Sequence, residues 1–390
     1  MNKKIYADHA ATTPVDASVL EAMLPFLGGC FHNPSALYGE AREVRVMIDD
    51  ARSVLLDFIG GDSEGRIIFT GSGTESANLA LYSALHSALH LSTRPSDSSG
   101  QQRPGSLLVS AAEHHAVLNY AHSLNSSGIV TEELPVDRYG AVAPDTLRKH
   151  IKGDVMLVSV MTVNNETGAI NDTGALCKIA HDAGALFHTD AVQALGIMPI
   201  NAQKNGADYI SFSAHKIYGP KGIGALYVSP AAALSPLVLG GKQEGGARAG
   251  TENTAGIAGF GRAVTLLRGR LEKDATHLAA LKSLFLKEIA AIPGIIINSA
   301  PGGAPNIINI SAAGVEAEPC LLHLSMAGIL ASMGAACNAS SVEPSHVVKA
   351  IGVPQEYQRG TLRFSFGRDN TEEDVKRCAQ ELAAVLGKMR

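Results

Sequence analysis

From about residue 16 to residue 255 the chain alternates short apolar runs with longer stretches of helical periodicity, and this constrains its fold more than any other feature. The runs expected to form strands are Arg66–Thr70, Ser106–Ser110, Val155–Val160, Ala185–Thr189, Asp208–Phe212 and Gly224–Val228. Helical patterns fill most of the gaps, as at Glu75–Leu89 and Thr173–Ala183. Such alternation predicts an α/β fold with a mostly parallel sheet flanked by helices, and sheets of that kind bind ligands beyond the carboxyl ends of their strands. Thr74, His114, Asn165, Asp190 and His215 each fall just after an expected strand.

Beyond residue 256 the pattern changes. A long helix is expected over 257–292, a strand over 306–311 and a second helix over 319–327. A last helix is expected near Thr371, where Thr371-Glu372-Glu373-Asp374 has the form of a capping box. Two domains are therefore expected: a large one over 16–255, and a smaller α+β one that joins 1–15 to 256–390. A chain of 390 residues is long enough for both.

The balance of charge excludes several classes of function. Acidic residues outnumber basic ones 37 to 32, and no long Lys/Arg run stands out, so neither nucleic acid nor a membrane surface is an expected partner. Met1 to Asp8 lacks the apolar stretch of a signal peptide and no segment is long enough to span a bilayer, which points to the cytoplasm. The five cysteines are widely spaced without any C-x-x-C, so neither a disulfide framework nor a metal site is expected. Cys177, Cys320 and Cys378 sit in apolar surroundings and read as small buried hydrophobes. Cys337 differs. It lies among small residues (Met333-Gly334-Ala335-Ala336-Cys337-Asn338-Ala339-Ser340-Ser341), a composition that predicts an exposed, mobile loop suited to a reactive thiol. The stretch from Leu91 to Gly105 is rich in Ser, Pro, Gln and Gly and reads as a surface insertion.

Lys216 carries the strongest chemical signal. It stands in Ser213-Ala214-His215-Lys216, ahead of Ile217-Tyr218-Gly219-Pro220-Lys221-Gly222. An amine between a hydroxyl, an imidazole and a glycine-rich turn suits a lysine that forms a Schiff base beside a bound phosphate. Asp190, with Gln193 three residues later, ends an apolar run, where a carboxylate can partner a pyridinium nitrogen. Thr70-Gly71-Ser72-Gly73-Thr74-Glu75 joins an expected strand to an expected helix, so that backbone N–H groups can approach a phosphate at the helix N-terminus. It lacks both the nucleotide P-loop ending and the dinucleotide fingerprint. Glu113-His114-His115 suits either a ring-stacking, proton-moving imidazole or a satisfied histidine pair at a helix start. Arg363 alternates away from Phe364 and Phe366, and its fork can hold a carboxylate or make a surface ion pair.

These stretches together resemble the cysteine desulfurases of the NifS/IscS type, within the class V aminotransferases. The resemblance runs through Ala10-Ala11-Thr12-Thr13-Pro14-Val15-Asp16, Asn33-Pro34-Ser35, Glu113-His114, Asn164-Asn165-Glu166-Thr167-Gly168 and the Lys216 motif. It continues with Gln243-Glu244-Gly245, Arg248 to Asn253, and Ala336-Cys337 with Glu343 to Val347. It implies the fold type I architecture of pyridoxal 5'-phosphate enzymes. It also implies that Lys216 is the Schiff-base lysine, that Asp190 and Gln193 contact the ring, and that His114 stacks on it. Gly73, Thr74, Ser213 and His215 would hold the phosphate, with Thr251 reaching the phosphate of a partner subunit in a homodimer. Asn165 would contact the cofactor and, with Arg363 and Asn33, the substrate carboxylate. Cys337 would be the nucleophile that takes sulfur from L-cysteine, leaving L-alanine, and passes it to an acceptor such as an iron–sulfur scaffold. The alternative is a selenocysteine lyase or a related class V aminotransferase or lyase. Ala7 and His9 depart from the usual pattern of this family.

Overall fold

The computed structural model describes residues 4–90, 105–334 and 343–390. Cys337 and all of the expected surface insertion except Gly105 lie outside the described residues. A seven-stranded sheet forms the centre of the molecule. From one edge its strands are Arg66–Thr70, Gly224–Val228, Tyr209–Ser213, Leu186–Asp190, Val155–Ser159, Ser106–Ser110 and Val130–Leu134. Gly224–Val228 runs antiparallel to both neighbours, and the other pairings are parallel. Four of the seven strands are buried along their whole length, which explains why they read as continuous apolar runs rather than as alternating ones. Val130–Leu134 escaped the sequence reading because it is an edge strand carrying Thr131, Glu132 and Glu133.

Helices cover both faces. The face bearing Phe187, Phe212 and Val158 packs against the helices Gly39–Phe58 and Thr254–Arg268, and the opposite face, with Leu107, Leu157 and Tyr209, packs against Gly73–His90 and His115–Ser123. Thr254–Arg268 corrects the expectation of one helix over 257–292. The helix ends at Gly269, and a second helix, Leu271–Ile289, starts after Arg270. Ile257, Phe260, Val264 and Leu267 of the first belong to the core of the large sheet, whereas Leu278, Leu281 and Phe285 of the second belong to a separate core. We propose that the division between domains falls at Gly269 rather than at residue 255.

That second core surrounds an antiparallel sheet of Ile295–Ile297, Ile307–Ala312 and Thr361–Ser365. Its last helix, Glu372–Met389, begins with the expected capping box, in which Thr371 Oγ1 accepts from the Asp374 amide and Asp374 accepts from the Thr371 amide. Such a cap stabilises a helix by about 1 kcal/mol. The N-terminal segment joins the two bodies. Ile5–Tyr6 pairs in parallel with Ile329–Leu330, and Thr13 is bonded through both its amide and its hydroxyl to the carbonyl of His215.

Candidate active site

A cavity of about 440 Å³ opens at the carboxyl ends of the central strands. It is lined by Gly73, Thr74, His114, Asn165, Asp190, Gln193, Ser213, His215, Lys216 and Arg363, which were all singled out in the sequence. Asn33 and Thr251 do not line it; both are exposed. The assignment of Asn33 to the substrate therefore finds no support in the geometry of one chain.

The floor comes from the sheet. Asp190 is the last residue of its strand, and its Oδ1 accepts the Val192 amide at 2.8 Å. Burial raises its pKa to about 6, against the lowering effect of that hydrogen bond and of Lys216. Lys216 lies one short turn beyond the strand Tyr209–Ser213. Its Nζ donates to the carbonyls of Ala10 (2.5 Å) and Ala11 (2.7 Å). Gln193 Nε2 donates to the same Ala10 oxygen at 2.9 Å. The N-terminal segment thus forms part of the wall around the amine. Sequence reading missed this, because backbone carbonyls leave no residue-type signal.

His114 combines the two readings left open above. It caps the helix His115–Ser123, with Nδ1 accepting the Ala116 amide at 3.0 Å, and it lines the cavity. Burial, followed by the nearby charges of Lys216, His115 and His346, pushes its pKa down to about 4. The ring is therefore neutral near pH 7. Because Nδ1 is an acceptor, the proton belongs on Nε2, and the imidazole is a donor at that atom. His215, hydrogen-bonded to Thr12 Oγ1 at 3.1 Å, is held neutral in the same way, with a pKa near 4 caused by burial, Lys216 and Lys221.

The residues present fit pyridoxal 5'-phosphate. At one end of the cavity the helix Gly73–His90 starts at Gly73, offering first-turn N–H groups and the positive end of its dipole to an anion. The backbone there is packed too tightly for side chains. A Cβ on Gly73 would lie 2.8 Å from Val192 Cγ2, and one on Gly224 would lie 2.4 Å from the Ser72 carbonyl carbon. Asp190, a buried acid able to share a proton with a ring nitrogen, also lines the cavity, as does the amine of Lys216.

The remaining wall comes from the second body. Arg363 is almost wholly buried, with Nη1 donating to the Asn165 carbonyl (2.7 Å) and Nη2 to Asp8 Oδ1 (2.8 Å). Its neighbours Leu362 and Phe364 point into the second core, as strand alternation predicted. Its Nε is buried without a hydrogen-bond partner among the described residues. Asp8 and Glu166, which also surround this wall, were not singled out as site residues.

Cys177, Cys320 and Cys378 are buried, and burial raises all three thiols, Cys177 and Cys378 to about 12. They are poor nucleophiles.

A fold type I sheet with a lysine, an acid and a phosphate cradle at its strand ends is the architecture of the class V aminotransferases. The family model for "Aminotransferase class-V" matches residues 5–378, and the chain belongs to that family. Its relatives narrow the comparison. It is 43% identical to cysteine desulfurase IscS of Dictyoglomus turgidum, an alignment that covers 100% of this chain and 96% of the relative. It is 40% identical to cysteine desulfurase IscS of Methanosarcina thermophila, over 100% and 93%. Among solved structures, a NifS-like protein superposes with a TM-score of 0.89 at 31% identity, covering 99% of this chain and 100% of that one.

Proposed function

We propose that this chain is a cysteine desulfurase that depends on pyridoxal 5'-phosphate, taking sulfur from L-cysteine and releasing L-alanine. The observation that carries this reading is a single cavity lined by Lys216, Asp190, His114, the Gly73 cradle and Arg363. When bound, pyridoxal phosphate supplies a carbonyl carbon that condenses with an amine and a conjugated ring that stores an electron pair.

The protein's own groups do the rest. Asp190 holds a proton against the ring nitrogen. Lys216 Nζ, oriented by the Ala10 and Ala11 carbonyls, anchors the group and then moves protons at the substrate's Cα. His114 donates from Nε2 and, being neutral, does not repel the Lys216 ammonium. The Arg363 guanidinium, aligned in advance by Asp8 and Asn165, holds the substrate carboxylate.

The Cβ–S bond of cysteine then breaks with its electrons left on carbon, which takes a proton to become the methyl group of alanine. The sulfur atom passes to the thiolate of Cys337 as a persulfide, to be collected by an acceptor protein such as an iron–sulfur scaffold. A nucleophile with a pKa near 12 would be almost entirely protonated at neutral pH, which argues against Cys177 and Cys378 in this role, and burial raises the Cys320 thiol in the same direction.

The test is mass spectrometry of the purified holoenzyme after exposure to cysteine. One added sulfur is expected, on Cys337, and none is expected in Cys337→Ala, whose bound-cofactor absorption stays intact. Undiminished sulfur loading in that variant rules out Cys337 as the nucleophile.

A further inference from the structure

Glu166 has no part in the steps above, yet it is a fully buried carboxyl behind the Arg363 wall. Its Oε1 accepts the Ser345 hydroxyl at 2.8 Å. Its Oε2 has no hydrogen-bond partner among the described residues and lies against Gly334, where a Cβ would come within 2.6 Å of it. Gly334 has φ +107°, a conformation that side-chain-bearing residues rarely adopt. Gly334 and Ser345 flank Cys337 on its two sides in the sequence. The chain therefore leaves toward Cys337 and returns from it against one carboxyl group.

The turn that carries Glu166 is itself firmly held. Asn164 Oδ1 accepts the amides of Glu166 (2.9 Å) and Thr167 (2.8 Å), and Asn309 Nδ2 donates to the Glu166 carbonyl at 3.2 Å. Asn165, one residue before Glu166, gives its carbonyl to Arg363. Side chain and backbone of one short turn thus contact both flanks of the proposed nucleophile and the proposed carboxylate fork.

We infer that Glu166 is a positioning residue that fixes both flanks of the Cys337 segment to the Asn165–Arg363 wall, placing the thiol relative to held substrate. The inference rests on the desulfurase reading. Glu166 is not a catalytic residue, since nothing places it against reacting atoms. Burial raises its pKa to about 7, opposed by Ser345 and Arg363. A protonated carboxyl has both a donor and an acceptor, and a carboxamide of the same shape reproduces them.

The test compares holoenzyme with Glu166→Ala, Glu166→Gln and Ser345→Ala by two readouts. One is the single-turnover rate of persulfide formation, and the other is proteinase K cleavage between Met333 and His346, mapped by mass spectrometry. Glu166→Ala should slow persulfide formation about tenfold or more, because small misplacement of a reacting group is costly. It should also speed cleavage in that span, while KM for cysteine and the bound-cofactor absorption stay as in the parent. Glu166→Gln should restore both readouts to within about threefold of the parent. Parental behaviour of Glu166→Ala, or equal impairment of Glu166→Gln and Glu166→Ala, overturns the inference. If Glu166→Ala does not fold, Ser345→Ala decides: faster cleavage supports the inference and unchanged cleavage overturns it. Cleavage is measured without turnover, so a parent protein that forms no persulfide refutes the desulfurase reading separately.

Discussion

The two walls of the cavity are built in opposite ways. On the sheet side three groups are set by a neighbour close in sequence: Asp190 by the amide of Val192, His114 by the amide of Ala116, and the Gly73 helix start by Ser72 Oγ accepting the Glu75 amide. On the other side the contacts span the chain. Arg363 reaches Asp8 across 355 positions and Asn165 across 198, and Glu166 reaches Ser345 across 179. The first wall takes Asp190, His114 and the Gly73 cradle from the large sheet and its helix starts, while Lys216, Gln193 and His215 are also tied to Ala10, Ala11 and Thr12 of the N-terminal segment. The second exists only when the two cores are docked. Cofactor chemistry and substrate placement should therefore respond to different mutations.

The largest effect is expected at Asp190, because it bears directly on the ring. Asp190→Asn keeps the shape and the acceptor for Val192 but removes the charge. The expected result is a fall in kcat of roughly 1000-fold, with KM for cysteine nearly unchanged because Arg363 is untouched. Steady-state kinetics with cysteine check it. An equal loss in KM would mean that the two walls are not separable.

Arg363→Lys should give the complementary pattern with a smaller magnitude. An ammonium keeps the charge but cannot reach Asp8, Asn165 and a carboxylate together as a fork does. The loss should be about 30-fold in kcat/KM, mostly in KM, with the bound cofactor's absorption unchanged. A shifted absorption band would show that the second wall also sets the environment of the ring.

This division governs how much of the site could be read in the sequence. Gly73, His114, Asp190 and Lys216 were recoverable because strand ends and glycine-rich turns leave local patterns, and those patterns fix where the side chains go. The parallel sheet was recoverable for the same reason: its buried strands read as apolar runs. Arg363 could be placed on the correct face of its strand, but its partners could not be named, because Asp8 is brought to it by the docking of the N-terminal segment. Glu166 looked like part of an Asn-Gly turn, and that reading was locally sound, since Asn164 does close the turn. What the sequence hid was the burial of the Glu166 side chain between Gly334 and Ser345. The break at Gly269 was missed because apolar periodicity continues on both sides of it, even though the two halves serve different cores.

The last expected effect concerns stability, and it separates Glu166 from the buried histidines by the direction of pH dependence; Asp190, whose pKa burial raises to about 6, acts in the same sense as Glu166. On the sheet side His114, His188 and His215 have pKa values pushed down to about 4, about 3 and about 4, chiefly by burial. Below the ordinary histidine range the unfolded chain takes up protons that the folded protein refuses, so these groups destabilise the fold as pH falls from about 6.5 toward 4. Glu166 acts in the opposite sense. Its folded pKa is near 7, against an ordinary value of 4.5, so the folded protein keeps a proton that the unfolded chain releases. Its contribution is lost as pH rises through that window. Glu166→Gln removes this loss and leaves the histidines alone. The variant should therefore gain stability relative to the parent between about pH 5 and about pH 7.5, by at most about 3 kcal/mol. Urea denaturation of the cofactor-free proteins at matched pH values measures the difference. Curves that stay parallel across the window would show that Glu166 titrates normally, and that the second wall is more open to water than its burial indicates.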